Sequence, residues 1–278
     1  MYRTDSARIE WIQKKRRRRR RQKIMKMCRT VLAVTAVISF WLGGAAVLCR
    51  EPAKAPKETD SVAAFAPELL KEKNEVYTKK VECIFQNPEL PTGCEATAGT
   101  MLLRAYGYEA EKTRTADLIE KGERIEGKDG RIYGPHPDEA FIGDPSGTDG
   151  FGVFPGALAK AMQKIIDSQG GDHVVRAMQG LDERSILTYI DRGIPLCIWT
   201  SMHDREIEQK TGWYLIKDGE YTDEFFCWPS NEHCVVLTGY DEETVTVCDP
   251  LEGERTYKRE SFFRHYGQVG SYALLLSE

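Results

Sequence analysis

The 278-residue sequence lacks the common motifs that bind phosphate groups or zinc. It contains no GxxxxGKS/T or GxGxxG loop, no HExxH helix and no paired CxxC. Nucleotide loops, zincin-type sites and four-cysteine zinc sites therefore have no support. We expect neither a metal nor an organic cofactor, so any chemistry must come from ordinary side chains.

Positive charge is scarce outside the first 50 residues. Residues 1–50 hold 14 Lys or Arg against two acidic residues, whereas residues 51–278 hold 25 basic and 41 acidic residues, a net charge of −16. An acidic body repels the phosphate backbone. Nucleic acid is therefore excluded as its partner.

Residues 30–49 form the one long stretch without a charged side chain. A helix of this length, at ~1.5 Å per residue, crosses a ~30 Å hydrocarbon core. Eleven Lys or Arg lie between Lys14 and Arg29, directly before it, and favour a cytoplasmic N-terminus. We predict a basic cytoplasmic tail (1–29), a transmembrane signal-anchor helix (30–49) that binds the lipid bilayer, a stalk (50–78) and an extracytoplasmic domain (79–278) on a single-pass protein of the cell membrane. A cleaved signal peptide and a lipid-modified Cys49 are the alternatives.

The domain at 79–278 shows helix patterns early and strand patterns late. Helices are predicted from residue 94 to Gly107 and at 115–121, 157–168 and 183–192, and strands at 81–85, 196–200, 213–216, 234–240, 244–248 and 272–276. This order favours an α+β fold with an antiparallel sheet over alternating βαβ units. Residues 123–156, rich in Gly, Pro and Asp, are expected to form a long ordered loop that folds over a cleft.

Cys94 follows a Pro-Thr-Gly turn at the predicted start of a helix. A helix N-terminus favours thiolate over thiol, so Cys94 is a candidate nucleophile, with a structural or disulfide-bonded cysteine as the alternative. His233 begins a strand, and Asp249 ends the next one, where hairpin pairing would bring the two together as base and orienting group. Gln86 is a candidate oxyanion donor.

Six cysteines occur in the outer domain. Apart from Cys94 they number five, so at least one of these is unpaired, and their pairing cannot be assigned from the sequence.

Four stretches of the sequence resemble one peptidase family. They are QNPELPTGCE (86–95), FIGDP (141–145) with GFGV (150–153), NEH (231–233) and CDPLEG (248–253). Together they are similar to the stand-alone branch of the double-glycine, bacteriocin-leader-type cysteine peptidases of the papain-like superfamily. The resemblance covers nearly all of residues 80–277. It implies a papain-like fold with Cys94 as nucleophile, His233 as general base and acid, Asp249 as the group orienting the imidazole and Gln86 as oxyanion donor.

These residues predict a membrane-anchored cysteine peptidase acting on a peptide or protein. The candidate substrate-binding residues are Gly93, Gly143, Phe151, Gly152 and Trp228. An acyltransferase or transpeptidase using the same triad, and a non-catalytic module that binds a peptide or glycan, are the alternatives.

Overall fold

The structure is a computed structural model that describes residues 76–278. The predicted tail (1–29), the predicted transmembrane helix (30–49) and residues 50–75 of the predicted stalk lie outside this part. Within residues 76–278, no helix is both long enough and apolar enough to span a membrane.

Residues 76–278 form five α-helices, a short 3-10 helix (Met202–Asp204) and thirteen strands. The helices are α1 (Cys94–Ala105), α2 (Lys112–Leu118), α3 (Pro155–Ser168), α4 (Glu183–Asp191) and α5 (Arg259–Val269). The strands are β1 (Val76–Tyr77), β2 (Lys121–Gly122), β3 (Ile125–Glu126), β4 (Ile132–Gly134), β5 (Phe141–Ile142), β6 (Val174–Gln179), β7 (Leu196–Ser201), β8 (Glu208–Lys217), β9 (Glu220–Ser230), β10 (Glu232–Tyr240), β11 (Thr244–Asp249), β12 (Gly253–Lys258) and β13 (Tyr272–Ser277).

A seven-stranded antiparallel sheet forms the centre of the fold. Its order is β12-β11-β10-β7-β13-β6, with β1 paired to the end of β10. Every strand pair in it is antiparallel. The predicted α+β class with an antiparallel sheet is confirmed.

Both faces of the central sheet are buried, which explains the unbroken apolar run in β10. Cys234 and Val236 belong to the core shared with α1 and α3, whereas Val235 and Leu237 pack in a second core with α4 and α5. Side chains alternate between the faces of a strand, so a strand covered on both sides must be apolar at successive positions. The sheet thus lies between two helical layers.

The segment predicted as a long ordered loop contains three short strands, β3 to β5, and its last two residues begin α3. Strands β3 and β4 join the long hairpin β8-β9 in a four-stranded sheet, and β5 pairs in parallel with β2. Indole N–H groups hold the segment to the core: Trp199 donates to the Val153 carbonyl (2.8 Å) and Trp213 donates to the Pro135 carbonyl (3.0 Å). The segment is therefore fixed by its own strands and by hydrogen bonds to the core.

The predicted strand at 81–85 is wrong. These residues belong to no strand, and the strand near this end of the domain is β1 instead. Val81, Cys83 and Ile84 are partly buried against the core, so side-chain packing accounts for the apolar residues of this segment.

All four predicted helices are present, with limits shifted by up to three residues, and several elements had no sequence prediction. The helix expected at 115–121 runs from Lys112 to Leu118. Besides the short strands β1 to β5 and the 3-10 helix, the unpredicted elements are β6, β9, β12 and α5. Hairpin β8-β9 has many exposed residues, which is why only its apolar part, 213–216, was recognisable as a strand.

Candidate functional site

Cys94 is the first residue of α1, as predicted, and Gly93 is its N-cap. A Cβ at Gly93 would lie 2.8 Å from the Leu90 Cβ atom, so the tight turn before the helix excludes a side chain at this position. The Gly93 carbonyl accepts the Thr97 N–H and hydroxyl (3.1 and 2.8 Å). Gly93 therefore packs and caps the helix start that carries the thiol.

The environment of Cys94 opposes ionisation more strongly than the sequence suggests. Its side chain is only 8% exposed, and burial, followed by the carboxyl groups of Glu95 and Glu232, raises the pKa of the thiol well above its usual value. A backbone hydrogen bond from Cys234 acts in the opposite direction. The effect of the helix start, which favours thiolate, is thus opposed by burial and by two neighbouring acids.

His233 and Asp249 meet through the hairpin of β10 and β11, as their positions predicted. His233 Nε2 lies 2.8 Å from Asp249 Oδ1, and both side chains are 1% exposed. His233 Nδ1 is buried without a hydrogen-bond partner among the described residues. The aspartate thus holds one ring nitrogen and leaves the other available.

Asp249 has two further donors. Its Oδ1 accepts the Leu251 N–H (2.7 Å), and its Oδ2 accepts the Tyr257 hydroxyl (3.0 Å). Burial acts to raise the pKa of Asp249, but the hydrogen bonds and charge of His233, with those from Leu251 and Tyr257, hold it below its usual value. Tyr257 had not been identified from the sequence.

Gln86 is buried in the turn that precedes α1. Its amide Nε2 donates to the Pro91 carbonyl (2.8 Å), and its Oε1 is buried without a partner among the described residues. The backbone is held on both sides, because Gln86 N–H donates to the Pro250 carbonyl (2.9 Å) and Lys112 Nζ donates to the Gln86 carbonyl (2.9 Å). A side-chain amide has two N–H hydrogens, so one remains for another acceptor.

Glu95 and Glu232 lie beside Cys94, and sequence reasoning assigned them no role. The Cys94 thiol donates to Glu95 Oε2 (3.3 Å), while the Val153 N–H donates to Glu95 Oε1 (2.7 Å). Cys94 Sγ and one carboxylate oxygen each of Glu95 and Glu232 lie within 4.8 Å of one another. Their positions in the sequence could have identified them. Glu95 follows the predicted nucleophile and Glu232 precedes the predicted base, each in an otherwise uncharged stretch.

Gly152 packs against these two acids. Its φ is 149°, in the region that disfavours side chains, and a Cβ would overlap Glu95 Oε1 and lie 3.0 Å from the Trp228 ring. A glycine at this position therefore allows the segment 150–153 to approach Glu95 closely.

Phe151 and Trp228, two other predicted substrate-binding residues, belong to an aromatic cluster. Their ring centroids are 5.6 Å apart, and Phe151 also meets Trp213 at 5.6 Å. Trp228 is 5% exposed, whereas Phe151 is half-buried under the Arg124 guanidinium, 4.0 Å from its ring centre. Gly143, with φ of 96°, lines a surface pocket with Phe151 and Arg124. Phe151 and Gly143 thus line this pocket, and Cys94 and His233 do not.

Among residues 76–278 the structure contains one disulfide, between Cys83 and Cys248. Cys94, Cys197, Cys227 and Cys234 are free. The disulfide joins the segment before Gln86 to the strand that ends at Asp249, so two sequence-predicted site residues lie on covalently connected chain segments.

The profile of the Peptidase_C39 like family matches residues 78–274. The uncharacterised protein YvpB of Bacillus subtilis (strain 168) is 26% identical over 231 residues, which cover 80% of this chain and 83% of YvpB. The crystal structure of a C39-like peptidase candidate from Bacillus anthracis is 28% identical, with a TM-score of 0.63 over 73% of this chain and 98% of that one. The peptidase domain of Streptococcus ComA, a bifunctional ABC transporter, is 10% identical, with a TM-score of 0.41 over 71% of this chain and 98% of that one.

Proposed function

Because this chain belongs to the Peptidase_C39 like family, we propose that it is a cysteine peptidase that hydrolyses peptide bonds with Cys94, His233 and Asp249. The observation that carries the proposal is the buried hydrogen bond of 2.8 Å between His233 Nε2 and Asp249 Oδ1. It orients an imidazole whose Nδ1 has no other partner among residues 76–278.

The first step is proton transfer from Cys94 to His233. An ionised Asp249 accepts a hydrogen bond, so Nε2 carries the hydrogen and Nδ1 presents a lone pair. The S–H bond breaks, its electron pair stays on sulfur, and the proton binds Nδ1. The imidazolium is stabilised by the Asp249 carboxylate.

The thiolate then attacks the carbonyl carbon of the scissile peptide bond. Negative charge moves to the carbonyl oxygen, which accepts hydrogen bonds from the second Nε2 hydrogen of Gln86 and from the Cys94 N–H. The latter belongs to the first turn of α1, where backbone N–H groups have no acceptor within the helix.

Collapse of this intermediate breaks the C–N bond, and the amine leaves with the proton from His233. Water then attacks the thioester, gives one proton back to His233 and releases the acid, and the Cys94 thiol is restored. No redox partner enters these steps.

The test is cleavage of a peptide library by the full chain, with Cys94→Ala and Cys227→Ala in parallel. We expect Cys94→Ala to reduce turnover to background with an unchanged fold, since the change removes a single sulfur atom at a helix start. Cys227→Ala removes another free cysteine, on β9, and should retain activity.

Equal turnover by wild type and Cys94→Ala would exclude this nucleophile. If peptides bind to wild type without cleavage, the domain is a binding module. If added amines are joined to the acyl group faster than water, the enzyme is an acyltransferase.

We further propose that the catalytic domain lies outside the cytoplasm, tethered through residues 30–49. Two observations support this placement. One is the charge-free stretch that follows eleven basic residues between Lys14 and Arg29, and the other is the Cys83–Cys248 disulfide, a bond typical of oxidising compartments. Protease added to intact cells should digest the domain and leave a cytoplasmic marker intact. Protection of the domain in intact cells would contradict the proposal.

A further inference from the structure

We infer that Glu95 and Glu232 form a proton-sharing pair in which the ionised Glu95 holds Cys94 in its thiol form, so that Glu95 is a positioning residue for the nucleophile. This inference deepens the proposed function and rests on it, since it concerns the state of the same sulfur atom before substrate binds.

The carboxyl groups of Glu95 and Glu232 lie close together in a buried site. Glu95 is fully buried and Glu232 is 7% exposed. One carboxylate oxygen of each lies within 4.8 Å of the other and of Cys94 Sγ. Two carboxylates this close in a buried site cannot both be ionised without a compensating charge. The pair therefore keeps one proton.

The hydrogen-bond donors around the two carboxyl groups decide which of them holds that proton. Glu95 receives two: the Val153 N–H (2.7 Å) and the Cys94 thiol (3.3 Å). Glu232 Oε1 is buried and has no hydrogen-bond partner among the described residues. A buried carboxylate without donors is costly, so the negative charge belongs on Glu95 and the proton on Glu232.

The directions in which the surroundings shift the two pKa values agree with this assignment. Burial raises the pKa of Glu95 to about 7, against the hydrogen bonds from Val153 and Cys94. Burial and the charge of Glu95 raise the pKa of Glu232 well above its usual value. Glu95 thus ionises first, near neutral pH, while Glu232 stays neutral.

The other titratable groups around the pair lie on the neighbouring strands. His233 on β10 acts on Glu95 by its charge, and His233 is itself held by Asp249 on β11. Cys234 on β10 interacts with Cys94, Glu95 and with Cys197 on β7. On the other side, Gly152 packs its Cα against both carboxyl groups and contributes no titratable side chain.

Before substrate binds, the Cys94 thiol therefore donates its hydrogen to the Glu95 carboxylate. The thiol must turn from Glu95 to His233 Nδ1 before it can lose its proton to the imidazole. A thiol reacts with electrophiles and oxidants more slowly than a thiolate, so the resting site is protected until substrate binds.

The experiment measures alkylation of Cys94 by iodoacetamide from pH 5 to pH 9 in the full chain, with peptide mapping to separate Cys94 from the other cysteines. Wild type is compared with Glu95→Gln and Glu232→Gln, two changes that keep side-chain shape. No substrate is needed. If wild type cleaves no peptide but the alkylation rates are as expected, the proposed function is refuted and the proton-sharing pair stands. If wild type cleaves peptides but the alkylation rates are not as expected, only the pair is refuted.

Only one of the two variants should change the rate. Glu95→Gln removes the negative charge beside sulfur, so alkylation at pH 8 should rise about tenfold, equivalent to about one pKa unit, and the gain should shrink toward pH 5, where wild-type Glu95 is protonated too. Glu232→Gln replaces one neutral group with another, so its alkylation should match wild type at both pH 8 and pH 6.

Changes in the same direction for both variants, or no gain for Glu95→Gln at pH 8, would overturn the inference. An infrared spectrum of the wild type covers the case in which a variant does not fold. It should contain the carbonyl band of a buried neutral carboxylic acid at pH 8, and absence of that band would equally overturn the inference.

Discussion

At the scale of single residues, the hydrogen-bond partners of the base decide how well it is oriented. Asp249 is held by His233, Leu251 and Tyr257, and each of its two oxygens has at least one donor. Tyr257 lies on β12, one strand further along the sheet, and its hydroxyl is the donor to Oδ2. We therefore expect Tyr257 to act as a positioning residue for His233, the proposed base.

Replacement of Tyr257 by Phe should lower kcat about tenfold with little change in KM. The reason is that the variant removes one hydrogen bond to a charged group, a loss of about 1.5 kcal/mol that affects the orientation of the imidazole and not substrate contact. Tyr266→Phe is the matched control, since the Tyr266 hydroxyl donates to the Leu181 and Ser271 carbonyls instead. Steady-state kinetics measure both, and an equal fall in kcat for both variants would assign Tyr257 a merely structural role.

At the scale of elements, the site depends on a connection between the segment before α1 and strand β11. Cys83 and Cys248 join residues 165 positions apart, and the Gln86 N–H donates to the Pro250 carbonyl nearby. Gln86 and Asp249 lie three residues or fewer from this covalent link. The disulfide thus connects the segment of the candidate oxyanion donor to the strand of the orienting acid.

The double variant Cys83→Ser with Cys248→Ser should lower the free energy of unfolding by about 2–5 kcal/mol, because a long loop becomes unconstrained in the unfolded chain. Urea unfolding measures the loss, and dithiothreitol should have the same effect on wild type but none on the double variant. Cys227→Ser, a free cysteine on β9, should change stability far less. An unchanged midpoint for the double variant would mean that the disulfide does not form in the native protein.

At the scale of the whole molecule, two buried acids give stability opposite dependences on pH. Asp249 has a lowered pKa in the folded state, so its contribution is present above its unfolded value of about 3.8 and is lost as pH falls through the folded value. Glu95 has a raised pKa, so its contribution is present below about 4.5 and is lost as pH rises through about 7. These two groups together favour folding most between about pH 4 and 5.

The acid side of this dependence is tested by Asp249→Asn. The variant should be less stable than wild type at pH 7 by about 1–3 kcal/mol, because an amide replaces a carboxylate that accepts from three donors. The difference should shrink as pH falls below about 3.8, the pKa of this carboxyl in the unfolded chain, and disappear once the folded carboxyl, whose pKa is lower, is protonated as well. Thermal unfolding of both proteins from pH 3 to pH 8 measures it, and a difference that is constant with pH would assign the effect to packing.

Much of the candidate site follows from local sequence patterns. The Pro-Thr-Gly turn predicts a helix beginning at Cys94, and two strands separated by a short turn predict a hairpin that brings His233 beside Asp249. These relations depend on backbone conformation over short stretches of chain, which residue type and spacing determine. The same reasoning, extended to the order of elements, predicted the α+β class.

Contacts between segments far apart in sequence could not be predicted and are defined by the tertiary structure. The chain folds Glu95 from α1 against Glu232 from β10, brings Gly152 within reach of both, joins Cys83 to Cys248 and turns the Cys94 thiol toward a carboxylate. Each of these contacts depends on how helices pack on the sheet, and burial there changes the ionisation of acids and thiols by removing water. Residue type and spacing alone predict which side chains are candidates for the chemistry. Their ionisation follows from packing, because a pKa depends on surroundings that local patterns do not encode.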